Sequence, residues 1–315
     1  MILSASRRTD IPAFFSEWFY NRIQKGFVLI RNPMNIHQIS KVNIRPEVVD
    51  CIVFWTKNPK PLINRLEILD QYHFYFQYTI NGYGQKLEPN IPTLQESLDC
   101  FKSLSELLGA HRVIWRYDPI IITDDHSIKY HINNFSEIAQ QLSGYTRKCI
   151  ISFVNYYKKC IKNMKSIQFH HITEEQITKL AERFALICKR NDISIWSCAE
   201  KISLEKYGIK HGKCIDDNLI EELCGYSIKI EKDKSQRTHC HCVTSIDIGA
   251  YNTCPHGCLY CYANYDMNSV RRNYTMHDRN SELLIGTIRD QNVRTRKVTS
   301  CRLSQPSLFD QQKAN

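Results

Sequence analysis

No basic leader followed by an apolar stretch opens this sequence; Met1-Ile2-Leu3-Ser4-Ala5-Ser6-Arg7-Arg8 runs straight from a short apolar segment into charge. Nor does any uninterrupted apolar run approach the roughly 20 residues that a helix needs to cross a bilayer. These two absences predict a cytoplasmic protein with no membrane partner. Internal repeats are missing too, which excludes a solenoid, and so are low-complexity stretches. With 43% hydrophobic and 23% charged residues, the 315-residue chain has enough apolar content for one large core or two modest ones.

Positive charge and cysteine are what it has in excess. A formal net charge of +10 attracts any polyanion, so nucleic acid, acidic lipid and phosphorylated substrates all stay open. Fourteen cysteines without a secretion signal argue for metal rather than disulfides, because a reducing cytosol opposes a disulfide framework. Nine of the fourteen fall from Cys198 onward. The earlier five, Cys51, Cys100, Cys149, Cys160 and Cys188, read as small apolar packing residues.

Residues 1–197 alternate short β-branched or aromatic runs (2–4, 51–55, 74–79, 112–116, 150–154 and 193–196) with helical patterns, which predicts a parallel α/β architecture. Thr93 with Glu96 and Thr173 with Gln176 read as capping boxes, and Gly109 as a helix stop. Residues 27–30 and 36–42 read as an inserted hairpin, and Trp55, Trp115 and Trp196 as core residues. In a parallel barrel, functional groups gather where strands run into loops. Arg7, Arg8, Lys57, Asn58, Arg116, Asp118 and Asn155 sit at such places and are the substrate-contacting candidates. Residues 198–242 form a charged, cysteine-rich insertion, 243–290 a strand, a cysteine loop and a helix, and 291–315 a basic segment that ends the folded part, followed by a tail.

Within the third segment, Cys254-Pro255-His256-Gly257-Cys258-Leu259-Tyr260-Cys261 spaces three thiols by three and then two residues. Soft thiolates suit iron–sulfur clusters and zinc, and three ligands for four irons leave one iron open. A zinc reading needs a fourth ligand, such as His256 or Cys242. Cys198, Cys214, Cys240 and Cys242 are four further thiols that would close an auxiliary iron–sulfur cluster or a zinc site.

The spacing, with an aromatic residue before the last cysteine, resembles the radical S-adenosylmethionine superfamily. The run from Asn252 to Asn264 looks most like its spore photoproduct lyase and "DNA repair photolyase-like" branch. The resemblance implies a [4Fe–4S] cluster on Cys254, Cys258 and Cys261, S-adenosylmethionine on the open iron, an electron donor, and a 5′-deoxyadenosyl radical as the product of cleavage. Ser6, Thr9 and Asp10 resemble the element that holds the amino group of S-adenosylmethionine, and Tyr260 is the aromatic residue of the cluster motif. Members of the superfamily carry the motif near the start of the barrel, whereas here it follows 250 residues. The segment from Phe76 to Ile122 resembles the middle strands of the same branch. A circular permutation reconciles these facts. The fold expected is a partial (β/α)6-type barrel in which residues 243–249 form the first strand and Met1 begins the second. Over almost its full length the chain also resembles a family catalogued as domain of unknown function 1848. Spore photoproduct lyases place a hydrogen-donating cysteine where this chain has Ser4, Ala5 and Ser6, which weakens thymine-dimer repair by their route.

Branch resemblance and charge together point to nucleic acid, DNA in particular, in repair or modification. RNA, a small metabolite, and a non-catalytic metal-stabilised nucleic-acid-binding module are the alternatives. Gln305-Pro306-Ser307-Leu308-Phe309 resembles the peptide by which bacterial repair proteins dock on the sliding clamp, with Gln305, Leu308 and Phe309 as anchors.

Overall fold

In the computed structural model, which describes residues 1–288 and 292–303, the chain is organised by one sheet of eight parallel strands. They are β1 (Ile2–Ala5), β2 (Cys51–Thr56), β3 (Phe74–Thr79), β4 (Val113–Ile120), β5 (Lys148–Phe153), β6 (Ser194–Ser197), β7 (Lys210–His211) and β8 (Ile246–Asp247). In space they run β8-β1-β2-β3-β4-β5-β6-β7. The order follows the chain except that the last strand lies beside the first, pairing Leu3 with Ile246 and Ser4 with Asp247. Residues 246–247 therefore neighbour the N-terminal strand. Of residues 243–249 only these two join the ladder, because Val243 and Thr244 donate instead to Ile215 O (3.2 Å) and Glu231 O (2.9 Å).

Strands of this kind are buried on both faces, and side chains alternate between two separate cores. Leu3, Ile52, Phe54, Phe76, Val113, Trp115 and Ile151 point to one face. Helices cover it. Leu94–Leu108 and Glu174–Arg190 begin at the two capping boxes predicted for them. The rings of Phe135, on helix Ile128–Leu142, and Phe184 stack with centroids 3.9 Å apart, and Trp115 stacks on Phe135 at 4.7 Å. Ile2, Cys51, Val53, Tyr75, Ile114 and Ile150 point to the opposite face.

That opposite face is filled by the cysteine-rich segment, which thus packs into the sheet and supplies β7 to it. Cys198, Cys214, Ile215, Ile220, Cys240 and Cys242 join its core. Tyr75 Oη and Gln77 Nε2 both donate to Cys214 O, at 2.8 and 2.9 Å. The basic segment adds a strand at this end of the fold: Val293–Arg296 pairs in parallel with Asn35–Asn43 of the predicted hairpin. The main-chain groups of that outer hairpin strand accept a third strand whatever the charge of its side chains. Gln305, Leu308 and Phe309 lie outside the described residues.

A buried polar triad fixes one helix to the sheet. His131 Nε2 bonds Ile121 O at 2.9 Å, which leaves Nδ1 to accept from Tyr117 Oη at 2.8 Å. Burial holds the imidazole neutral, its pKa lowered from 6.5 to about 4. The unfolded chain binds the proton more readily across that window, so the contribution is complete above pH 6.5 and lost as pH falls through 4. His131→Gln is expected to remove up to about 3 kcal/mol of the stability loss between pH 6.5 and 4. Urea denaturation across that range measures it, and an unaltered acid limb would contradict the assignment.

Candidate functional site

Where the strands end, their loops surround a cavity of about 360 Å³. It is lined by Ser6, Arg7, Arg8, Thr9 and Asp10 after β1, Lys57 after β2, Arg116 and Asp118 from β4, and Asn155 after β5. Tyr260 and all seven cysteines assigned to metal, Cys198, Cys214, Cys240, Cys242, Cys254, Cys258 and Cys261, line it as well. Asn58 alone of the candidates does not. Its backbone N–H donates to Thr56 Oγ1 (2.9 Å) and its side chain accepts from Lys60 N (3.3 Å), so it serves the local turn.

Asp10 ties three walls together. Its Oδ1 accepts from Ala13 N (3.0 Å) and Thr56 Oγ1 (2.8 Å), and its Oδ2 from Lys57 N (2.7 Å), with His256 Nε2 at 2.8 Å. Four partners fill the lone pairs of a carboxylate. Asp10 therefore joins the β1 loop, the end of β2 and, through His256, the cysteine loop. Asp247, at the end of β8, does the same for the loop after β1. It accepts from Ser4 Oγ (3.1 Å), Ser6 Oγ (2.6 Å), Arg7 N (2.8 Å), Arg8 Nε (3.1 Å) and Gly249 N (3.0 Å). Arg8 pairs with Asp247, not with Asp10. Ser6 is likewise occupied, its Oγ also accepting from Arg8 N at 3.0 Å.

The cysteine loop is anchored to residues 87–90. Leu259 N donates to Leu87 O (3.0 Å) and Asn90 Nδ2 to Pro255 O (2.9 Å). Tyr260 Oη donates to Glu88, which also pairs with Lys57 Nζ at 2.7 Å. Gly257 has φ 69°, a left-handed conformation that glycine adopts freely. Burial pushes the Cys254, Cys258 and Cys261 thiols up, so a bound metal would have to displace their protons.

On the other side, Cys198 Sγ and Cys214 Sγ lie 3.2 Å apart, and Cys242 Sγ accepts from Cys214 N (3.3 Å) and Ile215 N (3.4 Å). Arg116 Nη1 reaches Cys214 Sγ at 2.7 Å while Nη2 pairs with Asp118. Burial raises the Asp118 pKa, but Arg116 and the hydroxyl of Ser152 outweigh it and hold the carboxyl below its usual range. Trp55 packs against the core of the second face and also lies between two cations, with the Arg7 and Arg116 guanidinium carbons 5.5 and 5.1 Å from its ring. Arg7 Nη2, Thr9 Oγ1 and Trp55 Nε1 are buried polar atoms with no hydrogen-bond partner among the described residues. A ligand could satisfy all three. Among the described residues, no three or more His, Cys, Asp or Glu side chains are arranged to hold a metal ion. Neither set of cysteines is preformed as a cluster site, although the donor chemistry of both suits iron–sulfur or zinc.

Asp247, Glu88 and Trp55 were not candidates from sequence. Asp247 and Trp55 sit within predicted strand runs, where periodicity marks a residue as strand and is silent on its function. Glu88 stands between Leu87 and Pro89, inside the segment from Phe76 to Ile122 whose likeness marks no single residue.

An eight-stranded parallel sheet with a thiol-lined cavity at its carboxyl end defines the class: an α/β protein whose site lies where parallel sheets place ligands. The chain belongs to the family described as domain of unknown function DUF1848, which matches residues 2–263 and so takes in the whole cysteine loop. No curated protein matches it. Among solved structures it is similar to a protein provisionally assigned as an alpha-L-fucosidase, from Bacteroides thetaiotaomicron, at 10% identity over 72% of this chain and 81% of that one. The TM-score of 0.28 is too low to carry any argument about fold or function.

The crossing of β1 and β8 is tight. A Cβ on Gly249 would lie 2.6 Å from Ser6 Cβ, closer still to Ser6 Oγ, and 3.1 Å from Thr9 Cγ2. Gly249→Ala is expected to cost about 1–3 kcal/mol through overpacking, and Ser6→Gly in the same chain to restore part of it. Denaturation midpoints of the single and double variants test this; a neutral Gly249→Ala would show that the loops are not in contact.

Proposed function

We propose that the protein is a radical S-adenosylmethionine enzyme acting on nucleic acid, DNA in repair or modification. The observation that supports it best is the convergence of Cys254, Cys258 and Cys261 on one cavity with Arg7 and Thr9, residues nearly a chain length away. A [4Fe–4S] cluster with an open iron, once bound, supplies reductive cleavage of S-adenosylmethionine to a 5′-deoxyadenosyl radical.

The chain's own residues supply position. Asp10, through His256, sets the height of the cysteine loop; Glu88, through Tyr260, sets its far end. Arg7 Nη2 and Thr9 Oγ1, the two groups of the β1 loop with unused hydrogen-bonding capacity, are assigned to the carboxylate and amino groups of the methionine moiety. Trp55 with its two guanidinium neighbours forms an aromatic floor that excludes water. Cys198, Cys214, Cys240 and Cys242 are proposed to hold a second metal, an iron–sulfur cluster or zinc. The two backbone N–H bonds to Cys242 Sγ support that reading, since such bonds stabilise a thiolate ligand.

Anaerobic reconstitution with iron and sulfide is expected to give a brown protein that forms 5′-deoxyadenosine from S-adenosylmethionine under dithionite. Cys258→Ala should reduce that product by about 10³-fold or more, as expected for removing a group that acts only as part of a unit. Cys242→Ala should lower metal content by one site and leave the loop cysteines loaded. A colourless protein that holds only zinc would reject the radical reading.

A further inference from the structure

Four tyrosines crowd the rim of the cavity with their rings in solvent. Tyr157, Tyr251, Tyr262 and Tyr265 are 44%, 38%, 41% and 55% exposed, although a tyrosine this accessible gains little from the fold. They form one patch. Tyr157 and Tyr262 line the cavity mouth with ring centroids 6.3 Å apart. Lys159 Nζ stands 5.3 Å from the centre of the Tyr251 ring and 4.7 Å from that of Tyr265, and the Arg8 guanidinium lies 5.6 Å from Tyr251. Tyr262 Oη donates to Arg7 O at 2.7 Å, which fixes that ring against the β1 loop.

Charge distinguishes this patch from an apolar docking face. Lys158, Lys159 and Lys162 share the short helix Lys158–Asn163 beside it. Lys159 has no carboxylate within ion-pair distance among the described residues. Two acids of the adjoining loops are already engaged, Asp247 with Arg8 and Asp266 with the N-terminus of helix Met267–Thr275, where it accepts from Ser269 N and Ser269 Oγ. Aromatic faces interleaved with free ammonium groups match a polymer that alternates flat bases with phosphates. Every base has a π-face to stack, and each lysine meets a phosphate. A duplex hides its base faces, so the rings are useful only to an unpaired strand or an extruded nucleotide.

We infer that this rim is a binding platform for single-stranded DNA, with Tyr251 and Tyr265 stacking bases outside the cavity, Tyr157 and Tyr262 flanking the nucleotide that enters it, and Lys159 holding the backbone. The inference deepens the proposed function by naming the form of its substrate, and it rests on that reading for the choice of DNA.

The test uses the full chain as purified, without added cluster or S-adenosylmethionine, so that binding is read apart from radical chemistry. Fluorescence anisotropy with a labelled oligo-dT strand, a blunt duplex and the matching RNA strand gives affinity and its salt dependence. Single-stranded DNA is expected to bind more tightly than either competitor. Tyr251→Ala with Tyr265→Ala should weaken it by about 10- to 100-fold, the size of lost base stacking, while the paired Phe substitutions keep it. Lys159→Ala should lower the slope of log affinity against log salt by about 0.7. An alanine pair that binds as the parent does, with its melting temperature unchanged, overturns the platform. Tighter binding to the duplex overturns the unpaired strand, and tighter binding to RNA overturns DNA. A chain that binds single strands through these tyrosines yet never cleaves S-adenosylmethionine keeps this inference and rejects the radical reading.

Discussion

The Asp10 carboxylate is the interaction on which the site depends. Its four partners come from its own helix turn, from the end of β2 and from the cysteine loop. Hydrogen bonds to a charged acceptor contribute about 1.5–3 kcal/mol each, and a buried donor left unpaired costs a similar amount. Losing this one group would therefore release three elements at once. The cost of holding it is small because the fold already brings the loops together: β1 and β2 are sheet neighbours, and β8, which leads into the cysteine loop, lies on the other side of β1.

That placement explains how a motif so late in the chain comes to face residues so early in it. Strand β8 has only two residues in the ladder, too few to hold the edge of a sheet by main-chain bonds alone. Asp247 makes up the difference with five bonds into and around the β1 loop. Gly249 then allows a backbone approach that any side chain would block. A short strand, a carboxylate clamp and a glycine act together as one joint, and each is needed because the other two are weak.

Much of this was legible in the sequence, for identifiable reasons. Six strand runs and two capping boxes were read from local pattern, and local pattern is what the sheet and the helices Leu94–Leu108 and Glu174–Arg190 obey. The thiols Cys198, Cys214, Cys240 and Cys242 were grouped by residue type alone, and they do line one cavity. What escaped was set by tertiary contact. Trp55 looks like any aromatic residue in a strand, and its place between two arginines depends on the loop after β1 and on β4. The strand formed by residues 293–296 carries no apolar alternation to mark it, because an added edge strand is held by main-chain bonds and leaves its side chains in water. Asp10 was assigned to a ligand because its position resembled one that binds an amino group. Nothing in a linear sequence says that Asp10 also meets Ala13, Thr56, Lys57 and His256.

The face of the sheet that meets the cysteine-rich segment is the less expected half of the design. In a parallel sheet this surface is normally filled by aliphatic side chains, and Ile2, Val53, Ile114 and Ile150 do fill its lower part. Toward the carboxyl ends it becomes polar: Gln77, Arg116 and Asp118 project there, and the plug that meets them is built from Cys198, Cys214 and Cys242. A buried arginine needs compensation, and in this arrangement Asp118 meets only Nη2 of the fork. Asp118 takes one nitrogen and Cys214 the other. If the plug existed only to fill space, leucines would do it at lower cost. A guanidinium aimed at sulfur is instead suited to a group that carries negative charge, as a thiolate-bound metal does. The position of the plug across the cavity from the cysteine loop puts both sets of sulfurs on one cavity.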